Sequence, residues 1–449
     1  MRFTPRSAYY LVTSINWFGA VLPMSVMVLL AQARGVSLTE VGLFIGLYSL
    51  VVAVLELPSG AMADALGRKR AFLLGGALNA VARLVFLLAF DLTAFLAYAV
   101  VSGAARALSS GALEAWFIDA LQAEDPDVDL QPALAAAGSF QLVGLALGTV
   151  TGGALPLLFA ALPSHGVFTP LAIPLLFSIA VQLAVLALTT LVVDERSRAG
   201  NAPATGGRRT HSSLHPAAIL TLVRGALSAA VRSPTLRLLL IADAVVGAAL
   251  AASENLWQPF FAALLPAVDA AGLAAGGGTL ALGVILGGSF AVGIAGNALA
   301  THVARAAGRR YALVAAGFQF VQGVAFVGLA LSGRFLSAAG LLWLTYLTRS
   351  GWNSPHATLY NREVSAERRS AMLSVQSLAG FGGGFIGSVA LGALAETVSI
   401  SAAWLVAGVG LTASALLYLI LDRNDRASVA PITRASPEGY AAPTASSST

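Results

Sequence analysis

Four charged residues stand isolated inside long apolar stretches of the chain: Arg106, Glu114, Glu254 and Arg349. An arginine presents a planar fork of donors that matches a carboxylate or phosphate, so Arg106 and Arg349 together can clamp an anionic group. A lone carboxylate held away from bulk water is suited to carrying a proton, which marks Glu254 and Glu114. Asp243 stands eleven residues before Glu254, three helical turns, and Gln258 follows one turn after it. Asn16, Trp352, Asn353 and His356 add polar and aromatic groups within similar apolar stretches. Each charge placed within a bilayer costs about 2.5–3.5 kcal/mol on insertion scales, so such residues are functional candidates by default.

The remaining inventory excludes other chemistry. There is no paired His/Glu metal motif, no Ser/His/Asp set, no phosphate-binding glycine loop ending in Lys-Ser/Thr, and no cysteine. The expectation is a protein that is not an enzyme and uses no metal or cofactor, driven by a proton gradient. The 449 residues are 57% hydrophobic and 10% charged, against about 25% charged in a soluble chain. The net charge of +5 does not indicate nucleic acid, because the basic residues fall in short loops between apolar runs.

Those runs are the elements that must position the charges. Twelve are long enough to cross a bilayer, near 9–32, 39–60, 71–90, 93–118, 134–162, 167–193, 236–264, 276–303, 311–332, 335–358, 371–395 and 399–421. Without water in the bilayer core, each must be a helix. Of the 26 Lys and Arg residues, 21 fall on the N-terminus, the even-numbered loops and the C-terminal tail. Arg34 and Arg334 lie on the other side, and Arg83, Arg106 and Arg349 lie within spans. By the positive-inside rule both termini are expected in the cytoplasm. Lys69 is the single lysine among many arginines, a usage that fits a GC-rich bacterial genome and hence a bacterial cytoplasmic membrane.

The expected division is a six-helix half over 1–193, a cytoplasmic linker over 194–235, a second six-helix half over 236–421 and a disordered tail over 422–449. Within the linker, Ile219, Val223, Ala226, Leu227, Ala230 and Val231 recur at helical spacing, which predicts a short amphipathic helix on the membrane face. The halves repeat at an offset of about 240 residues: Gly67-Arg68-Lys69 recurs as Gly308-Arg309-Arg310, Ser110-Gly111 as Ser350-Gly351, Gly144 as Gly384, and Gly152 as Gly392. Two parallel six-helix halves are a transporter architecture with its site near the midplane.

The loop after the second span reads Gly60-Ala61-Met62-Ala63-Asp64-Ala65-Leu66-Gly67-Arg68-Lys69. It resembles the major facilitator superfamily signature Gly-x3-Asp-(Arg/Lys)-x-Gly-(Arg/Lys)-(Arg/Lys), with Ala65 where that family carries a basic residue. The resemblance implies an all-α integral membrane fold of twelve transmembrane helices in two parallel six-helix pseudo-repeats, rocking about a central cavity. It also implies a small-molecule substrate and a gating role for Gly60, Asp64, Gly67, Arg68 and Lys69. Gly144, Gly148, Gly152 and Gly153 on the fifth span are similar to a motif of the superfamily's drug–proton antiporters, with Thr149 in place of proline; close helix packing explains the same glycines equally. Ser110 to Asp119 is similar to a pattern in bacterial exporters of the superfamily. Glu114 and Asp119 there can equally pair with Arg68 or Arg70 as a gate.

In that superfamily the first, fourth, seventh and tenth helices line the cavity. Their polar residues here fall into stripes: Thr13 and Asn16; Ser102, Arg106, Ser109, Ser110 and Glu114; Asp243, Glu254 and Gln258; Thr345, Arg349, Trp352, Asn353 and His356. The function expected is proton-coupled efflux of a small amphiphilic organic compound by a monomer. The alternatives are transport of an anionic metabolite through Arg106 and Arg349, and a membrane scaffold or sensor that does not transport. Glu56 lies at the depth of Arg106, so a structural Glu56–Arg106 pair stands beside the clamp. Arg83, with Asn79 on the third span, has no role in this scheme.

Overall fold

Polar caps set the starts of several helices. The Thr4 hydroxyl accepts from the Ser7 N–H at 3.2 Å. Ser37 and Glu40 form a reciprocal capping box, with bonds of 3.2 and 2.9 Å. Asp91, Asp129 and Ser233 cap three further starts. Each satisfies N–H groups that a first turn leaves unpaired.

The computed structural model describes residues 3–194, 228, 232–265, 270–364 and 369–429; for 57–65, 270–271, 369–371 and 424–429 it describes the backbone alone. The helices are α1 (Pro5–Val21), α2 (Met27–Ala33), α3 (Leu38–Leu66), α4 (Arg68–Leu88), α5 (Leu92–Ser109), α6 (Ala112–Glu124), α7 (Leu130–Leu158) and α8 (Ile173–Val192) in the first half. The second half has α9 (Pro234–Asn255), α10 (Trp257–Ala263), α11 (Ala270–Ala275), α12 (Gly278–Ala306), α13 (Tyr311–Leu331), α14 (Phe335–Glu363), α15 (Arg369–Thr397) and α16 (Ile400–Val429). The expected linker helix falls on residues outside the described ones. So does most of the expected tail, although α16 runs to Val429, past the boundary placed at 422.

Among the described residues eleven spans are long and apolar enough to cross a membrane. The twelfth, the expected tenth span, is the continuous helix α14, which carries Arg349, Asn353 and His356 and is too polar to join them. Three other spans are broken. The first is interrupted by a 3-10 turn at Leu22–Ser25 containing Pro23. The fourth breaks at Gly111, whose φ of 69° is left-handed and open to glycine at little cost. The seventh breaks after Asn255, three residues before Pro259.

Glycines set the packing of both halves. Gly144, Gly148 and Gly152 of α7 lie against the carbonyls of Ser14, Phe18 and Leu22. The matching pair in the second half is α9 and α15, where Gly247 meets Gly380, and Gly383 and Gly387 meet Ala244 and Ala248. A Cβ at Gly144, Gly148, Gly152, Gly247, Gly383 or Gly387 would collide with backbone, so the small residues permit the close approach. The halves meet each other through Gly153 against Thr279 and Gly283, and through Gly42 and Gly392 against Ser388 and Leu38. These inter-half contacts lie in the part of the bundle away from the chain termini. There the Thr39 N–H also donates to Glu396 Oε2 at 2.9 Å.

Candidate substrate cavity

A cavity of about 870 Å³ lies between the halves, extending from the distal contacts toward the end that bears the termini. The broken helices supply much of its wall: Trp17 and Met24 from the first span, Ser110 and Glu114 from the fourth, Glu254 and Trp257 from the seventh. A break frees backbone groups and turns side chains that a straight helix would hold in one stripe.

Of the sequence candidates, Asn16, Arg106, Glu114, Glu254 and Gln258 line this cavity. Arg106 is exposed to it and lies 6.0 Å from the centre of the Trp17 ring, a cation–π contact. Glu114 and Glu254 are likewise exposed to the cavity interior. Among the described residues no ion pair is found between Arg106 and Glu56.

Gln258 does different work from that expected. Its Nε2 donates to the Met24 carbonyl and its Oε1 accepts from the Val28 N–H, both at 2.9 Å. One amide thereby spans the break in the first helix and latches the second half to the first. The seventh span's own break places Gln258 at this point; its residue type alone gave no sign of it.

The expected Arg106–Arg349 clamp is corrected by the geometry. Arg349 folds along its own helix, 4.6 Å over the Trp352 ring, and donates to Asn353 Oδ1 at 3.0 Å. Neither Arg349 nor Asn353 lines the cavity, and the guanidinium rests on its own helix rather than on the cavity wall with Arg106.

Asp243, Trp352 and His356 are also corrected, from cavity wall to buried network. His356 is 1% exposed and Asp243 7%. His356 Nε2 lies 2.9 Å from Asp243 Oδ1, and Tyr360 donates to Asp243 Oδ2 at 2.7 Å. Gln376 donates to Oδ1 at 3.4 Å. On the other ring nitrogen, His356 Nδ1 lies 2.7 Å from the Tyr418 hydroxyl, which accepts from Trp352 Nε1 at 2.9 Å. Trp352 stacks on the His356 ring at 4.1 Å. The network joins α9, α14, α15 and α16 inside the second half. Tyr360, Tyr418 and Gln376 were absent from the sequence candidates; Tyr360, one turn after His356, carried a signal in its spacing.

The gating residues divide. Gly67 is the turn between α3 and α4, with φ of 90°. Arg68 pairs with Asp119 at 2.9 Å, the partner expected for it, while Glu114 lines the cavity. Lys69 donates to the carbonyls of Thr190 and Val193, tying this turn to the end of α8. Both contacts stay within the first half. The backbone at Gly60 and Asp64 is helical, and the Asp64 side chain lies outside what the structure describes. Among the described residues no cluster of His, Asp and Glu could hold a metal ion.

The model of the Major Facilitator Superfamily matches residues 9–361. No curated protein matches. Among solved structures, the nucleoside transporter NupG superposes with a TM-score of 0.71 at 12% identity, covering 93% of this chain and 99% of that one. A POT family transporter in complex with 5-aminolevulinic acid gives 0.67 at 12% identity, covering 93% and 96%. A bacterial homologue of the human lysosomal transporter Spinster, inward-facing and unoccupied, gives 0.65 at 15%, covering 93% and 95%. At such identities the likeness is one of fold, and it agrees with the family match: this chain belongs to the major facilitator superfamily, a multi-pass membrane transporter of small molecules and not an enzyme.

Proposed function

We propose that this transporter exports a small amphiphilic organic compound across a bacterial cytoplasmic membrane in exchange for protons, with both termini in the cytoplasm. The observation that carries the reading is the Asp243–His356 contact at 2.9 Å, a buried carboxylate–imidazole pair set apart from the substrate cavity. While ionised, the carboxylate only accepts, from Tyr360 and Gln376 among others; a proton on one oxygen would make that oxygen a donor and reverse one bond of the network. The change would be felt on four helices of one half. α9 leads directly into α10 and Gln258, so the proton site and the distal latch share one span.

The cavity favours an amphiphile by its lining: Trp17, Trp257, Phe290 and Tyr346 lie beside Arg106 and Glu254. Export is favoured by the resemblance of Gly144 to Gly153 to the antiporter motif. The basic-loop count supports the orientation.

Proteoliposomes loaded with a fluorescent amphiphilic dye test the reading. Asp243→Asn is expected to lose transport driven by an imposed pH gradient while retaining dye exchange without one. Gradient-driven transport at the wild-type rate in Asp243→Asn overturns the proposal.

A further inference from the structure

Arg83 takes no part in the proton network, yet it lines the cavity from α4. It is 5% exposed, and its Nη1 donates to Gln182 Oε1 at 3.0 Å and to the Ser178 carbonyl at 3.3 Å. Among the described residues no carboxylate pairs with it, and its Nε and Nη2 find no protein acceptor. Gln182, 3% exposed, spends its Oε1 on Arg83 and leaves Nε2 without a hydrogen-bond partner. A buried guanidinium lacking a counter-charge and a buried amide lacking an acceptor are both costly. The two oxygens of one carboxylate would satisfy both, since arginine binds such a group through two parallel bonds.

The surroundings fit the same ligand. Ser102 lines this cavity and is able to donate, while the Tyr98 hydroxyl, also in the lining, donates to Met27 Sδ at 3.8 Å. Gly76 keeps the approach open, because a Cβ there would come 2.9 Å from Gln182 Nε2. Glu114 and Glu254 enter the cavity from α6 and α9, on other spans, so this arm between α4, α5 and α8 has no acidic residue of its own among the lining residues.

We propose that Arg83 and Gln182 form an anion subsite that receives the carboxylate of an amphiphilic substrate, the aromatic lining of the remaining cavity taking its apolar body. The proposal rests on the reading of the cavity as the substrate site and is independent of proton coupling.

Equilibrium binding of 1-naphthoate and of its methyl ester to the purified full-length protein, in detergent and without a gradient, tests it. The wild type is expected to prefer the acid. Arg83→Gln should weaken naphthoate binding about ten- to a hundredfold and shift the ester less than about twofold, the loss of a charged hydrogen-bonded contact. Gln182→Glu offers Arg83 an internal carboxylate and should remove the same preference; it decides the matter where Arg83→Gln does not fold. The titration uses no gradient, so a failure of proton coupling shows in liposomes and not in this binding measurement. Absence of naphthoate binding, equal binding of acid and ester to the wild type, or a preference that survives Gln182→Glu overturns the subsite.

Discussion

The fourth and tenth spans occupy matching places in the two halves, and each carries an arginine, Arg106 and Arg349. In the first half the span breaks at Gly111, and Arg106 opens onto the cavity beside Trp17. In the second half the equivalent Gly351 packs against Phe318, the helix runs unbroken, and Arg349 lies back on Trp352. Of this matched pair, the fourth span thus keeps its arginine available to a ligand, and the tenth commits its own to neighbouring side chains. A repeated backbone does not oblige repeated chemistry; a single glycine used as a hinge in one copy and as a packing surface in the other separates the two.

The largest effect should come from breaking the committed side. Asp243→Ala leaves the hydroxyl of Tyr360 and the amide of Gln376 without their acceptor, with an expected cost of about 3 kcal/mol, whereas Arg106→Ala at the exposed site should stay within about 0.5 kcal/mol. Denaturation in detergent measures both, and equal losses would end the contrast. Tyr418→Phe should cost about 1–3 kcal/mol, because its hydroxyl joins Trp352 Nε1 to His356 Nδ1. A loss close to zero in the same measurement would mean that Asp243 alone, without the extended network, holds this half. A small effect is likewise expected for Arg68→Ala. Its pair with Asp119 is 29% and 46% exposed and should be worth under about 1 kcal/mol.

The spans and their order were legible because a bilayer demands long apolar runs and the basic residues sort by side. The repeat was legible through Ser110-Gly111 and Gly144, whose copies lie at one offset. Side-chain choices were not. Arg349 had an anionic partner and an aromatic ring equally within reach, and only the packed helix decides for Trp352. Asp243 and His356 are 113 residues apart, and nothing in either segment specifies the contact. Tyr418 lies on the twelfth span, where a phenol does not stand out in an apolar run. Gln258 became a latch through a break whose angle the sequence does not carry. Arg83 was visible as an anomaly, and its neighbours Ser178 and Gln182 came from the far end of the same half.

The approach of α7 to α12 at Gly153 has a mechanical side. Twenty-three residues of α7 run from that contact to its start at Leu130, about 35 Å of rigid rod at 1.5 Å per residue. A tilt of about 10° about such a fulcrum swings the far end by about 6 Å, roughly the thickness of an aromatic ring with its clearance. The opening at the terminal end is therefore governed by leverage, and a methyl group added at the fulcrum would act on the whole length of the arm.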